Sequence, residues 1–117
     1  MKWHRGDQDS QYRAGAYTVE RGPVTGPAWR ALGPCVATAG HTTKASAQHA
    51  AFEAILARVG DPFRADVVVG DVVEYAGMRA TITMATTTGD GTPLFCLRTT
   101  RGKRHCLLRS EFRLVVP

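Results

Sequence analysis

Between residues 94 and 113 the chain carries Arg98, Arg101, Lys103, Arg104, Arg109 and Arg113 against a single acid, Glu111. That local balance of +5 equals the net charge of all 117 residues, so the remainder of the sequence is neutral. Arg101, Gly102 and Lys103 read as a turn between two strands, which puts Arg101, Lys103 and Arg104 where long cationic side chains project into water. There they can meet the oxygens of a polyanion: the phosphate backbone of DNA or RNA, or an acidic protein surface. Arg98 and Arg109 extend that surface along the two strands if they face outward. The same charges also suit a solvated hairpin that stops an edge strand from pairing with other chains.

A second group lies at the start of a helix. His41, Lys44 and His49 sit near its first turns, and a helix N-terminus favours anions, so a phosphate can dock at residues 42–44. His49 falls three residues before Phe52 and reads as a packed side chain.

Cys96, His105 and Cys106 share the basic hairpin, but their spacing argues against a metal or nucleophilic centre. Adjacent residues of a strand point to opposite faces, so His105 and Cys106 cannot jointly ligate one ion. A two- or three-residue turn register does not set Cys96 opposite Cys106. With Cys35 the cysteines number three and lack a CxxC spacing; reduced, mostly buried thiols are expected, with no metal and no cofactor. Asp61, Asp66, Asp71, Glu74 and Asp90 make no spaced acid pair, and Asp71 reads as a turn acceptor for local backbone. Gly89, Asp90 and Gly91 lack the Lys and Ser/Thr of a phosphate-cradling loop. These patterns point to a binding module and not to an enzyme.

The elements that position these residues follow from periodicity and punctuation. Residues 1–11 are polar and aperiodic and read as a flexible arm. Strand-like content near the end of residues 12–20 is followed by Gly22 with Pro23, Gly26 with Pro27, and Gly33 with Pro34, which confine residues 28–32 and 35–39 to short strands. Residues 43–59 read as a helix capped by Thr42 or Thr43, with Ala45, Phe52, Ile55, Leu56 and Val59 on its apolar face and Arg58 among the polar residues opposite. Gly60 and Pro62 end it. Residues 12–60 thus form a ββα-type unit, and 61–65 a linker.

Beyond it the period changes to that of strands: residues 67–69 lead through Gly70 and Asp71 into a strand at 72–75, followed by 78–84, 94–100 and 104–109, then a helical turn at 110–112 and a closing strand at 113–116. Such short strands bury their faces best by curling, which predicts a strongly bent five-stranded β-barrel over 66–117. The fold class is therefore α+β.

At 44% apolar residues the composition is that of a folded protein. No run approaches the roughly 18 apolar residues of a membrane span, and Met1 to Asp7 has no apolar signal core. A cytoplasmic location without membrane attachment is expected. Only Lys2, Lys44 and Lys103 of the 15 basic residues are lysine, a skew that with abundant Ala suits a GC-rich genome.

Val69, Gly70, Asp71, Val72, Val73, Glu74 and Tyr75, then a glycine and Ala80, Thr81 and Ile82, resemble the opening of KOW/Tudor-type small barrels. The hairpin around Arg101 to Arg104 and the ending at residues 110–115 fit the same layout. The resemblance implies a barrel that binds nucleic acid, peptides or proteins. Residues 40–56, with Thr43, Lys44, Ala50, Ala51, Ala54 and Ile55, look faintly like the last helix of double-stranded-RNA-binding domains, where a lysine-rich start grips phosphates; only Lys44 is retained. The small size and paired mini-domains resemble phage or mobile-element accessory proteins. The expected function is a nucleic-acid-associated accessory protein, the alternative a phage-encoded inhibitor that binds a host or defence complex.

Overall fold

A computed structural model of the chain describes residues 1–8, 10–37 and 39–117. The chain divides into two compact units, Met1–Ala57 and Arg58–Pro117. The architecture is α+β, with one helix, a four-stranded antiparallel sheet and a five-stranded antiparallel sheet.

In the first unit, strands β1 (His4–Arg5), β2 (Gln11–Ala14), β3 (Tyr17–Arg21) and β4 (Trp29–Leu32) pair in chain order. The segment read as an arm therefore contributes an edge strand, with His4 opposite Arg13 and Arg5 opposite Tyr12. Ala14 faces Tyr17 across a tight turn whose first residue, Gly15, has φ 58°, the placement a II′ hairpin needs. Alternation then sends Tyr17 and Val19 inward, and Val19 pairs with Ala31 of β4. Residues 35–37 form no strand. Instead Gly33, Pro34, Cys35 and Val36 make a turn closed by Val36 N–H donating to Gly33 O, with Cys35 at φ 64°. The Tyr17 hydroxyl donates to Pro34 O at 3.0 Å, anchoring that turn over the sheet.

Helix α1 (Lys44–Val59) starts where expected, with Ser46 N–H donating to Thr43 Oγ1 at 3.1 Å. Its buried stripe differs from the apolar face read in the sequence. Ala47, Ala51, Ala54, Ile55 and Arg58 are buried, while Ala45 and Leu56 are exposed. Alanines permit close approach of the helix, and Ala47 joins Val19 and Ala31 in one core, flanked by Trp3, Trp29, Val36 and Ala50.

The second unit begins with Arg58 in the last helical turn, before residues 61–65. Strands β5 (Val72–Tyr75), β6 (Met78–Thr87), β7 (Pro93–Thr99), β8 (Arg104–Leu108) and β9 (Arg113–Leu114) are ordered β8-β7-β6-β5-β9. The number and antiparallel sense of the strands match expectation, but the sheet is not a closed barrel. Its edges, β8 and β9, do not pair; a 3₁₀ turn at Arg109–Glu111 carries the chain from one to the other, and β9 is only two residues long. Residues 67–69 are not a strand either, and Val68 and Val69 stay exposed. The core consists of Val73, Ala80, Ile82, Leu97, Leu107 and Phe112, with Val67, Tyr75 and Phe95 packed against it. Phe95 and Phe112 meet edge to face at 5.5 Å. Burying each large apolar side chain here stabilises the unit by about 1.5–3 kcal/mol.

Candidate functional site

The β7/β8 hairpin closes one residue earlier than the sequence suggested. Thr99 N–H donates to Lys103 O at 2.8 Å and Gly102 N–H to Thr99 O at 2.9 Å. The Thr99 hydroxyl oxygen also accepts from Lys103 N–H at 3.1 Å. The loop is thus Thr100, Arg101 and Gly102, with Gly102 at φ 84°, the left-handed position that ends a three-residue hairpin loop. This register sets Arg98 directly opposite Arg104 and Cys96 directly opposite Cys106. The expectation that the two cysteines miss each other is corrected by that one-residue shift.

Side-chain alternation separates the two faces of the hairpin. Leu97, Thr99 and Leu107 are buried, and half-buried His105 lies on that side with its ring 5.6 Å from Tyr75. Arg98, Arg104 and Cys106 are exposed on the other face, with Cys96 half-buried between them. Met84 of β6, opposite Cys96, and Leu108 of β8 share that face, at 52% and 41% exposure. Arg101 and Lys103 are exposed at the loop. None of the side chains of Arg98, Arg101, Lys103 and Arg104 has a carboxylate or carbonyl partner among the described residues. Like charges directly opposite on a sheet are destabilising, so facing Arg98 with Arg104 costs the hairpin some stability.

The other basic residues are differently employed. Arg109, expected to extend the surface, is half-buried and its guanidinium is occupied by backbone. It donates to Ala65 O at 2.9 Å, Pro62 O at 3.0 Å and Phe112 O at 3.0 Å, and stacks 4.9 Å from the Phe112 ring centre. Burial pushes its pKa below the ordinary arginine value, opposed by the charges of Asp61 and Asp71. Residues 61–65, read as a linker, are fixed to the second unit by these bonds and by Leu114 N–H donating to Pro62 O. Arg113 pairs with Glu74 at 2.8 Å, and Arg79 donates to Val116 O at 2.8 Å. Lys44 belongs to the first unit, where its ammonium lies 4.4 Å from the ring centre of Tyr12.

Tyr75, Phe95 and Phe112 face the core, as the sequence indicated, so they offer no stacking platform for bases. The cysteines are free but not buried: Cys35 and Cys106 are exposed and Cys96 is half-buried. Two features escaped the sequence. The facing cysteines were signalled only by Gly102, whose need for positive φ fixes the loop and hence the register. The buried contact of Arg58 with Asp71 carried no signal at Arg58, which occupies a polar position in the helical pattern. Among the described residues no group of three or more His, Cys, Asp or Glu is placed to hold a metal, and no helix is long and apolar enough to cross a membrane.

Comparison of the chain with protein-family models, with curated proteins and with solved structures finds no match.

Proposed function

We propose that this protein is a small binding module that contacts the phosphate backbone of nucleic acid through Arg98, Arg101, Lys103 and Arg104. The observation that carries this reading is the facing pair of Arg98 and Arg104, exposed and without acidic partners among the described residues. An anion placed between them removes a repulsion that the free protein retains. Arg101 and Lys103 add charge at the loop. Without exposed aromatic side chains among them, these cations read charge and shape and not base identity. The likeness of residues 69–82 to KOW/Tudor-type openings supports the same reading, since barrels of that type include nucleic-acid binders.

A second reading, binding to an acidic protein surface as an inhibitor of a host complex would, is favoured by Met84 and Leu108. Their exposed apolar surface beside the arginines suits a protein interface with a dry centre and charged rim.

Salt dependence separates the two. If all four cations neutralise phosphates of duplex DNA, log K falls against log salt with a slope of about −3.6. Arg101, Lys103 and Arg104 changed together to Ala should abolish binding while leaving the circular dichroism spectrum and the unfolding midpoint in place. Recovery from lysate of one stoichiometric protein that persists after nuclease treatment would replace the nucleic-acid reading with the protein one.

A further inference from the structure

Cys96 and Cys106 are juxtaposed by register, and the kind of register matters. The hydrogen bond from Thr99 N–H to Lys103 O makes that couple a hydrogen-bonded pair. Hydrogen-bonded and non-hydrogen-bonded pairs alternate along an antiparallel ladder, so Arg98 with Arg104 is a non-hydrogen-bonded pair, and so is Cys96 with Cys106. At such pairs the Cα atoms stand about 4.5 Å apart with side chains on the same face. A disulfide spans Cα separations of roughly 4.4–6.8 Å, so this pair can be bridged with little backbone movement, near the short end of the range. Cys106 is exposed and Cys96 half-buried, and both line a depression bordered by Thr83, Met84, Arg98 and Arg104.

We propose that Cys96 and Cys106 are a reversible redox pair that exchanges with a small disulfide carrying carboxylates. The Cys106 thiolate attacks one sulfur of the small disulfide, forming a mixed disulfide and expelling a thiolate that takes up a proton. Cys96 then loses its proton and attacks the Cys106 sulfur, forming the cross-strand disulfide and expelling the second small thiol. Two protein S–H bonds and one small-molecule S–S bond are consumed; one protein S–S bond and two small thiols result, so the protein is oxidised and the small disulfide reduced.

The surroundings fit this order of events. Because Cys106 is the more exposed of the two, it is the sulfur an incoming disulfide reaches first; the Cys96 thiol is pushed up, first by its hydrogen bond to Cys106, then by burial and by the Cys106 charge. Arg98 and Arg104 lie two residues along the strands on the same face, where they can hold the carboxylates of the incoming molecule. The loop closed by the bridge already forms a hairpin, so cross-linking adds little constraint to the fold. A short, exposed bridge of this kind is readily reduced. Formation of the Cys96 to Cys106 bond requires no nucleic acid, although Arg98 and Arg104 are shared with the proposed phosphate contact.

The test uses the full chain with Cys35→Ser, equilibrated with reduced and oxidised glutathione and read by mass spectrometry of the intact protein and its peptides. The expected result is a Cys96 to Cys106 linkage that disappears when reduced glutathione is returned in excess. Cys96→Ser should halt at a stable glutathione adduct on Cys106. Arg98→Gln with Arg104→Gln should slow oxidation by glutathione disulfide about tenfold or more, while leaving the rate with neutral hydroxyethyl disulfide unchanged. Absence of the linkage at a large excess of oxidised glutathione, or a linkage that reduced glutathione cannot reverse, overturns the redox pair. An Arg98→Gln with Arg104→Gln variant that slows both disulfides by the same factor relative to the parent chain, or slows neither, overturns the carboxylate-bearing substrate.

Discussion

Arg58 and Asp71 meet as a bidentate pair, Nη1 to Oδ1 at 3.0 Å and Nη2 to Oδ2 at 2.5 Å, with both side chains withdrawn from solvent. Arg58 Nη2 also donates to Asp66 O, and Asp71 Oδ2 accepts from Val68 N–H, so the pair fixes the loop that leads into β5. Asp71 is thus the local turn acceptor its neighbours suggested and also the counter-ion of a buried guanidinium. Because a buried charge stripped of its partner is costly, Asp71→Ala should destabilise the protein by about 3–5 kcal/mol. The double change Arg58→Met with Asp71→Leu should cost much less. Urea unfolding of the parent chain and the two variants measures both; equal losses for the single and the double change would show that the ion pair is not the cause.

Arg109 and the hairpin cations should behave as opposites. Removing a guanidinium that satisfies the carbonyls of Pro62, Ala65 and Phe112 leaves these acceptors short of a donor. Arg109→Ala should therefore lower stability by about 2 kcal/mol or more, whereas single Ala changes at Arg101 or Lys103 should stay within about 0.5 kcal/mol. Thermal unfolding of each variant distinguishes them.

The turn between β5 and β6 uses two residues of positive φ, Ala76 at 48° and Gly77 at 78°. This is a I′ turn, for which Asn followed by Gly is the favoured pair. An Ala in the left-handed region is strained by about 1–2 kcal/mol. Ala76→Asn, at an exposed position, should raise stability by about 1 kcal/mol. An unchanged unfolding midpoint would refute that assignment of strain.

Asp90 gives the loop between β6 and β7 an acid sensitivity. Hydrogen bonds from the hydroxyls of Thr88 and Thr92 and from Thr92 N–H hold its carboxyl near a pKa of about 2, below the ordinary 3.8. A lowered folded-state pKa means that the stabilisation is complete above about pH 4 and fades as the pH falls towards 2. Amide chemical shifts of Thr92 should follow a titration near pH 2 in the parent chain, and that titration should vanish in Asp90→Asn. A midpoint at the ordinary aspartate value would remove the proposed bonds.

Much of this architecture was legible in the chain. Thr43 before an Ala-rich run, with Gly60 and Pro62 after it, specified helix α1, and the turn residues Gly77 and Gly102 specified hairpins. The exposure of Arg98, Arg101, Lys103 and Arg104 also follows from alternation and a polar loop. Other features were hidden because they depend on small offsets. Moving a hairpin loop by one residue changes every cross-strand partner, and that offset decided whether Cys96 faces Cys106. The helix face was misassigned because hydrophobicity favours Leu56, whereas close packing favours Ala47 and Ala51.

By itself the sequence determined helix α1, the strand and turn order of the second unit and the concentration of positive charge around one hairpin, because local periodicity, turn chemistry and residue charge are properties of neighbours in the chain. Only the tertiary structure decided which arginines remain free, since Arg109 and Arg98 differ in long-range partners and not in local pattern. It also decided that the five-stranded sheet stays open, because a 3₁₀ turn and a very short β9 leave β8 without a partner on its outer edge. Which partners a side chain meets at long range is fixed by packing, and packing is settled by the whole fold at once.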